Sequence, residues 1–385
     1  MALTDTFARF VRSEQAGGIL LAGSTAVALV LTNSGVGAAY LAFWESRVAG
    51  MTLLHWVNDA LMAVFFLLIG LELERELYVG ELSESKKAFL PIVAAVGGMA
   101  VPALIYYGLN AGTPAQAGLG IPMATDIPFA LAALALLGDR VPGALKVFLV
   151  AFAVVDDLGA IVLIALFYTS EVSAALLASA IAVWLALIAL NRVFHVSSVF
   201  PYVLGGMVMW FLFLQSGVHA TLAGVLLAFA IPFAAKVGVS PSHRLEHALQ
   251  RPVAFLILPL FALANAGIVI GEGSMESLLS MSSLGISLGL VLGKPLGVIF
   301  LCAVAARLGI CSLPPELRWS HIVGAGVLGG IGYTMSIFIT NLAFADAALV
   351  NASKIAIVLA SLTAGILGFL WLRFVAPPAT FTNDE

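Results

Sequence analysis

The chain has 385 residues, of which 62% are hydrophobic and only 10% charged. Soluble domains carry about 25% charged residues, so a water-soluble globule is excluded and an integral membrane protein is implied. The formal net charge of −4 says little about partners in such a chain. There is no nucleic-acid motif and no Gly-x-x-x-x-Gly-Lys-Ser/Thr phosphate loop, which argues against an ATP-driven pump.

A spanning helix needs about 20 apolar residues. In chain order such segments fall near 13–32, 59–79, 89–109, 121–137, 144–169, 174–191, 200–213, 218–235, 250–270, 284–306, 321–342 and 352–373. The pattern predicts an all-α polytopic membrane protein with about 12 transmembrane helices, and the alternation of a transmembrane β-barrel is missing. The first segment lacks a convincing small-residue cleavage site and reads as a retained helix. Between the first two segments, residues 34–58 form a long connection with room for a hairpin. Residues 236–249, with His243, Arg244, Glu246 and His247, form a charged connection on the other face.

The basic residues set the orientation. Arg9, Arg12, Arg75, Lys86, Lys87, Arg140, Lys146, Arg192, Lys236, Arg244, Arg251, Arg307, Arg318 and Arg373 fall on one face, Arg47 and Lys354 on the other, and Lys294 within a helix. Positive charge collects on the cytoplasmic side, which predicts both termini inside. Cys302 and Cys311 lie near that reducing face, and no disulfide is expected.

Two segments carry helix breakers at membrane depth. One runs Gly118-Leu-Gly-Ile-Pro122-Met-Ala-Thr125-Asp126-Ile-Pro128, the other Gly324-Ala-Gly326-Val-Leu-Gly329-Gly330-Ile-Gly332-Tyr-Thr334. Proline removes a backbone donor and glycine weakens a helix, so both should be interrupted. Each is the middle of three helices, and the two triplets start on opposite faces, the pattern of an inverted repeat whose broken helices cross at mid-membrane.

Charges meet at the same depth. Asp156 and Asp157 lie side by side within Phe-Leu-Val-Ala-Phe-Ala-Val-Val and Leu-Gly-Ala-Ile-Val-Leu-Ile-Ala-Leu-Phe. One carboxylate at mid-bilayer costs about 2.5–3.5 kcal/mol on insertion scales, and two together repel. Folding requires neither, so the pair is a candidate site for a cation. Asp126 and Asp157 stand about equally far from the turn at Val141, and Lys294 sits one half-span before Gly309. Three carboxylates and an ammonium therefore share one layer. For Asp126 and Lys294, charge compensation of half-helix ends is as good a reading as transport chemistry. For His219 alone, a satisfied histidine at a helix start is the plainer reading.

These residues lie in stretches that resemble the bacterial sodium/proton antiporters of the NhaA family: Ala-Thr125-Asp126-Ile-Pro, Val-Val-Asp156-Asp157-Leu-Gly, Gly-Lys294-Pro-Leu-Gly and Gly-Gly-Ile-Gly-Tyr-Thr-Met-Ser. Further matches are Asn58-Asp59-Ala-Leu-Met-Ala-Val-Phe-Phe, Gly70-Leu-Glu72, Ser216-Gly-Val-His219-Ala-Thr-Leu-Ala-Gly and Leu-Pro-Leu-Phe-Ala-Leu-Ala-Asn265-Ala-Gly. They run in order over nearly the whole chain.

The resemblance implies a secondary transporter, not an enzyme, of the bacterial inner membrane. It would export Na⁺ or Li⁺ against H⁺ by alternating access, electrogenically and under pH control, without a resident cofactor. Asp156 and Asp157 would bind ion and proton, with Thr125 completing the sites for transported Na⁺. Thr125 and Asp126 would lie at the helix crossing, and Lys294 would pair with a site aspartate. Glu72, Arg75, Glu246 and His247 would belong to the cytoplasmic entrance and pH response, and His219 to pH dependence and subunit contacts. A homodimer through the 34–58 loop is implied, in membrane lipid and with no nucleic-acid partner. The ion-translocating core would span about 88–170 and 284–375, and a second bundle about 1–87 and 171–283. Two departures fall in the region tied to pH response: Glu74 stands where the family usually has lysine, and Gln250-Arg251-Pro252 replaces the common His-Pro-Trp.

Two rivals are weaker. A sodium-coupled symporter for an organic anion would need a roomier polar cavity than these residues provide. An intramembrane aspartyl protease needs two facing aspartates, whereas neighbours on one helix point about 100° apart.

Overall fold

The computed structural model describes residues 5–83, 85–168, 172–234, 240–271 and 273–376. Lys236, used above for orientation, lies outside them, as do residue 169 and the first residues of the 236–249 connection. The chain is almost wholly helical. In order come α1 (Asp5–Thr32), α2 (Gly37–Glu45), the strands β1 (Arg47–Val48) and β2 (Met51–Thr52), α3 (Leu53–Tyr78) and α4 (Ser85–Asn110). Then follow α5 (Ile127–Ala135), α6 (Gly143–Phe167), α7 (Ala174–Arg192), α8 (Phe200–Ser216), α9 (Leu222–Ala228) and α10 (Pro241–Asn265). The last are α11 (Ser274–Leu278), α12 (Met281–Arg307), α13 (Trp319–Gly329), α14 (Tyr333–Ala343) and α15 (Ala347–Phe374).

Among the described residues seven helices are long and apolar enough to cross a bilayer, and two bent pairs raise this to at most nine. The pairs are α1 with α2, bent by 114°, and α13 with α14, bent by 43°. This does not confirm the expected count of about twelve. Three of the apolar segments form helices shorter than a full span. In 121–137 only α5 is helical, because the chain ahead of it is a 3₁₀ turn (Pro114–Gly120) followed by non-helical residues through Asp126. α8 stops at Gly217, whose φ of +83° is left-handed. α9 stops ahead of Pro232, which has no N–H to continue it.

The fold divides into two units, one of the described residues within 5–19, 85–160 and 268–376, the other of those within 20–83 and 161–267. In the first, α4 lies closest to α12 where Gly97 faces Gly297. A Cβ on either glycine would run into the carbonyl of the other, so this approach requires both, as small residues do wherever membrane helices touch. α12 carries a π-turn at Gly289–Gly293, directly before Lys294. Pro122 and Pro102 lie where side chains on Gly289 and Gly293 would go. Such bulges mark functional stretches of helices.

In the second unit α3 packs on α9 through Gly70 and Gly224, the latter lying on the Ala63 carbonyl. The 34–58 connection contains α2 and the β1–β2 hairpin, paired antiparallel with Arg47 opposite Thr52. Asn58 and Asn265 exchange amide hydrogen bonds of 3.2 and 2.8 Å, tying α3 to α10.

Candidate ion-binding site

The two broken segments lie against each other and are cross-linked by their own backbone. Asp126 precedes α5 in an extended conformation and donates its N–H to the Ile331 carbonyl at 2.6 Å. Its Oδ1 accepts the Phe129 N–H at 3.1 Å, capping α5. Its Oδ2 accepts both the N–H (2.9 Å) and the hydroxyl (2.6 Å) of Thr334, in the first turn of α14. One carboxylate therefore serves two helix N-termini, each carrying about half a positive charge. Ser336 donates to the Ile121 carbonyl at 2.6 Å, and the Gly332 N–H donates to Ser361 Oγ at 3.2 Å. The crossing is fixed without further help from the ion site.

Beside it, α6 presents Asp156 and Asp157, both buried. Asp156 Oδ2 accepts from Thr125 Oγ1 at 2.8 Å and from Lys294 Nζ at 2.5 Å. Thr125 Oγ1 also lies 2.9 Å from the Gly329 carbonyl, at the end of α13. A hydroxyl has one proton, so it serves one of these acceptors at a time. Lys294 also donates to the Met123 carbonyl, and its Nζ stands 5.7 Å from the centre of the Phe152 ring. The second oxygen of Asp156 and Oδ1 of Asp157 are buried without a hydrogen-bond partner.

Two carboxylates, a hydroxyl and the carbonyls of Met123 and Gly329 thus converge where the broken helices meet. Hard cations take such oxygens. Among the described residues no group of three or more His, Cys, Asp or Glu side chains is placed to hold a metal ion. The sequence pointed to Asp156, Asp157, Thr125, Asp126 and Lys294, and the structure brings all five into this unit. The sequence did not single out the Met123 and Gly329 carbonyls, Ser336 or Ser361. Thr334 had a legible signal, a hydroxyl residue just after a glycine break.

The second unit holds the other candidates. Arg75 pairs with Glu246 at 2.9 Å and with Glu76 at 3.1 Å, and His243 reaches Glu246 at 3.4 Å. Glu72 is buried one turn before Glu76, and its charge acts on Arg75. His247 is exposed on the far side of α10 and stays apart from this cluster; His243 takes the place beside Glu246. Glu74 is buried and accepts from Ser242 at 2.9 Å. It lines a cavity of about 230 Å³ with Tyr78, Asn191, Arg192, Phe229, Ile231 and Phe233. Gln250 is buried, and a π-turn over Val253–Ile257 follows Pro252. His219 Nε2 lies 2.6 Å from the Tyr168 carbonyl, with the Asp59 charge close by.

The profile of the family described as Na⁺/H⁺ antiporter 1 matches residues 8–372. The chain belongs to this family. A Na⁺/H⁺ antiporter NhaA of Dechloromonas aromatica (strain RCB) is 64% identical over 375 residues, covering 97% of this chain and 96% of that protein. One from Cytophaga hutchinsonii is 56% identical over 373 residues, with the same coverage, and one from Vibrio campbellii 50% identical over 379 residues, with 97% of each chain covered. With this membership and its apolar helices, the chain is a multi-pass inner-membrane protein. Within the antiporter family the expected fold stands: helices throughout, with a broken pair in the last third of the chain and an unwound stretch ahead of α5.

Proposed function

We propose that the chain is a secondary transporter that exports Na⁺, or Li⁺, in exchange for protons at the Asp156–Asp157 pair. The observation that carries this is the shared oxygen of Asp156. Lys294 and Thr125 both hold it, while neighbouring Asp157 keeps a buried oxygen without a partner. A structural network would satisfy both acids; this one leaves acceptor capacity for a cation. Na⁺ arriving from the cytoplasm takes the two carboxylates and displaces Lys294 from Asp156. Thr125 turns its proton to the Gly329 carbonyl and offers its oxygen lone pairs to the ion. On the outward side protons displace Na⁺, because carboxylate oxygens cannot serve proton and ion at once, and the pair titrates as a unit.

In this reading Asp126 fixes the crossing through which the ion site is formed. The core of about 88–170 and 284–375 moves against the bundle of about 1–87 and 171–283 to expose the site alternately. More protons enter than sodium leaves, so the membrane potential drives export with about 2.3 kcal/mol per net charge per 100 mV. Glu72, Arg75, Glu246, His247 and His219 adjust activity to pH. Both termini are cytoplasmic, and two copies pair through the 34–58 loop.

The test uses everted membrane vesicles from cells lacking their own sodium exporters. A proton gradient is set, NaCl, LiCl or KCl is added at several pH values, and the gradient is followed. Collapse with Na⁺ and Li⁺ but not K⁺, lost in Asp157→Asn that still inserts, is the expected result. Exchange retained in Asp157→Asn would sink this assignment of the site.

A further inference from the structure

Phe152 lies one helical turn before Asp156 on α6, so ring and carboxylate share a face. The ring is fully buried. It fills the space left by two glycines: a Cβ on Gly98 of α4 would stand 3.1 Å from it, and one on Gly329 of α13 2.9 Å. Phe148 lies parallel to it one turn earlier, at 6.3 Å between centroids. These contacts confine the ring. The Lys294 ammonium stands 5.7 Å from the ring centre, within cation–π reach. Among the described residues, the charged groups acting on Lys294 are Asp156 and Asp157 of α6. Asp126 acts in turn on Asp157.

We infer that Phe152 is a positioning residue for the exchange reaction: its ring holds the Lys294 ammonium against Asp156 and so sets how readily Na⁺ displaces it. The inference rests on the antiport reading of the Asp156–Asp157 site. The chemistry is a competition. Whatever favours the ammonium at the mouth of Asp156 disfavours the sodium ion that must take its place. An aliphatic side chain in the same slot offers no quadrupole. The neighbouring glycines make room for the ring, since a Cβ on either would press on it.

The experiment uses the full-length protein in proteoliposomes, with Na⁺ as probe and pH profiles of exchange as the readout. Phe152 is replaced by 4-fluoro- and then 3,4,5-trifluorophenylalanine, which weakens the ring's quadrupole in steps at nearly constant shape, and separately by leucine. The expected result is a graded acid shift of the half-activation pH, reaching about half to one and a half units. At fixed pH below that point KM for Na⁺ should fall while kcat changes little. Phe152→Leu should lie at the end of the series; should it fail to fold, the fluorinated series decides alone. Profiles superimposable on the unmodified protein would overturn the inference, as would a fall in kcat with KM and pH profile unmoved, because a mere filler predicts that. Absence of Na⁺/H⁺ exchange in the unmodified protein would instead overturn the antiport reading.

Discussion

Asp126 and Asp157 are both buried acids of one layer, yet their neutral amides should behave oppositely. In Asp126→Asn the amide keeps one acceptor oxygen. It can serve the Phe129 N–H or the Thr334 pair, but its NH₂ group then faces donors on the other side. One buried backbone donor left without an acceptor costs about 1–3 kcal/mol. Two helix N-termini also lose the charge that compensates them, worth up to about 2 kcal/mol in buried geometry. Removing a buried charge returns some desolvation, but the surrounding dipoles remain arranged for an anion. The net expectation is a loss of about 2–4 kcal/mol. In Asp157→Asn no hydrogen bond to Oδ1 is lost and a buried acid with an unpartnered oxygen disappears, so stability should hold or rise.

The assay is thermal unfolding of the detergent-purified proteins, paired with exchange in vesicles. Asp126→Asn should melt several degrees lower and, where folded, still exchange Na⁺ for protons. Asp157→Asn should melt no lower and exchange nothing. Equal melting of the two variants, or exchange lost in Asp126→Asn at full stability, would refute the division drawn here between a scaffold acid and a working acid.

Three further outcomes follow from the same geometry. Thr125→Val removes the hydroxyl between Asp156 and the Gly329 carbonyl; a hydrogen bond to a charged group is worth about 1.5–3 kcal/mol, so KM for Na⁺ should rise about 10- to 100-fold, and Thr125→Ser should restore it. Gly297→Ala drives a Cβ into the Gly97 carbonyl and should cost about 1–3 kcal/mol in unfolding experiments, whereas Gly23→Ala, with nothing within 4 Å of the new atom, should be neutral or better. Arg75→Ala leaves the buried Glu246 carboxylate without its guanidinium and should destabilise the second unit by about 1–3 kcal/mol; adding Glu246→Gln should recover part of that in a double-mutant cycle.

The long spans were legible because an apolar run of 20 residues has one low-energy solution in lipid. The breaks were legible from Pro122, Pro128 and the glycines at 329, 330 and 332. The turn between α1 and α2 was not: Asn33 and Ser34 end α1 by bonding back to the Leu29 and Leu31 carbonyls, and the nine residues of α2 are too few to announce a helix inside an apolar connection. Within the site every charged side chain could be named, since each is improbable in an apolar layer. The Met123 and Gly329 carbonyls could not, because any residue has one; what singles them out is where two half-helices stop. His247 illustrates a different loss. It adjoins Glu246 in sequence, but consecutive residues on a helix point about 100° apart, so His243, three positions earlier, is the histidine that faces that carboxylate.

The layer holds its charges in two conditions, and the difference separates scaffold from working parts. Asp126 spends both oxygens on donors at two helix starts, the Phe129 and Thr334 N–H groups and the Thr334 hydroxyl. On the proposed reading a group held by two backbone donors is the scaffold acid. Asp156 is held by partners that can leave, an ammonium on a flexible stem and a hydroxyl with an alternative acceptor 2.9 Å away. Asp157 keeps Oδ1 free of any partner. Burial makes each departure costly unless something replaces the lost contact, and the natural replacements are a proton or a small hard cation. On the proposed reading, exchange of one for the other needs no moving part in the site beyond Lys294 and the Thr125 proton. The rigid crossing fixed by Asp126 keeps the oxygens at their spacing while those two change partners.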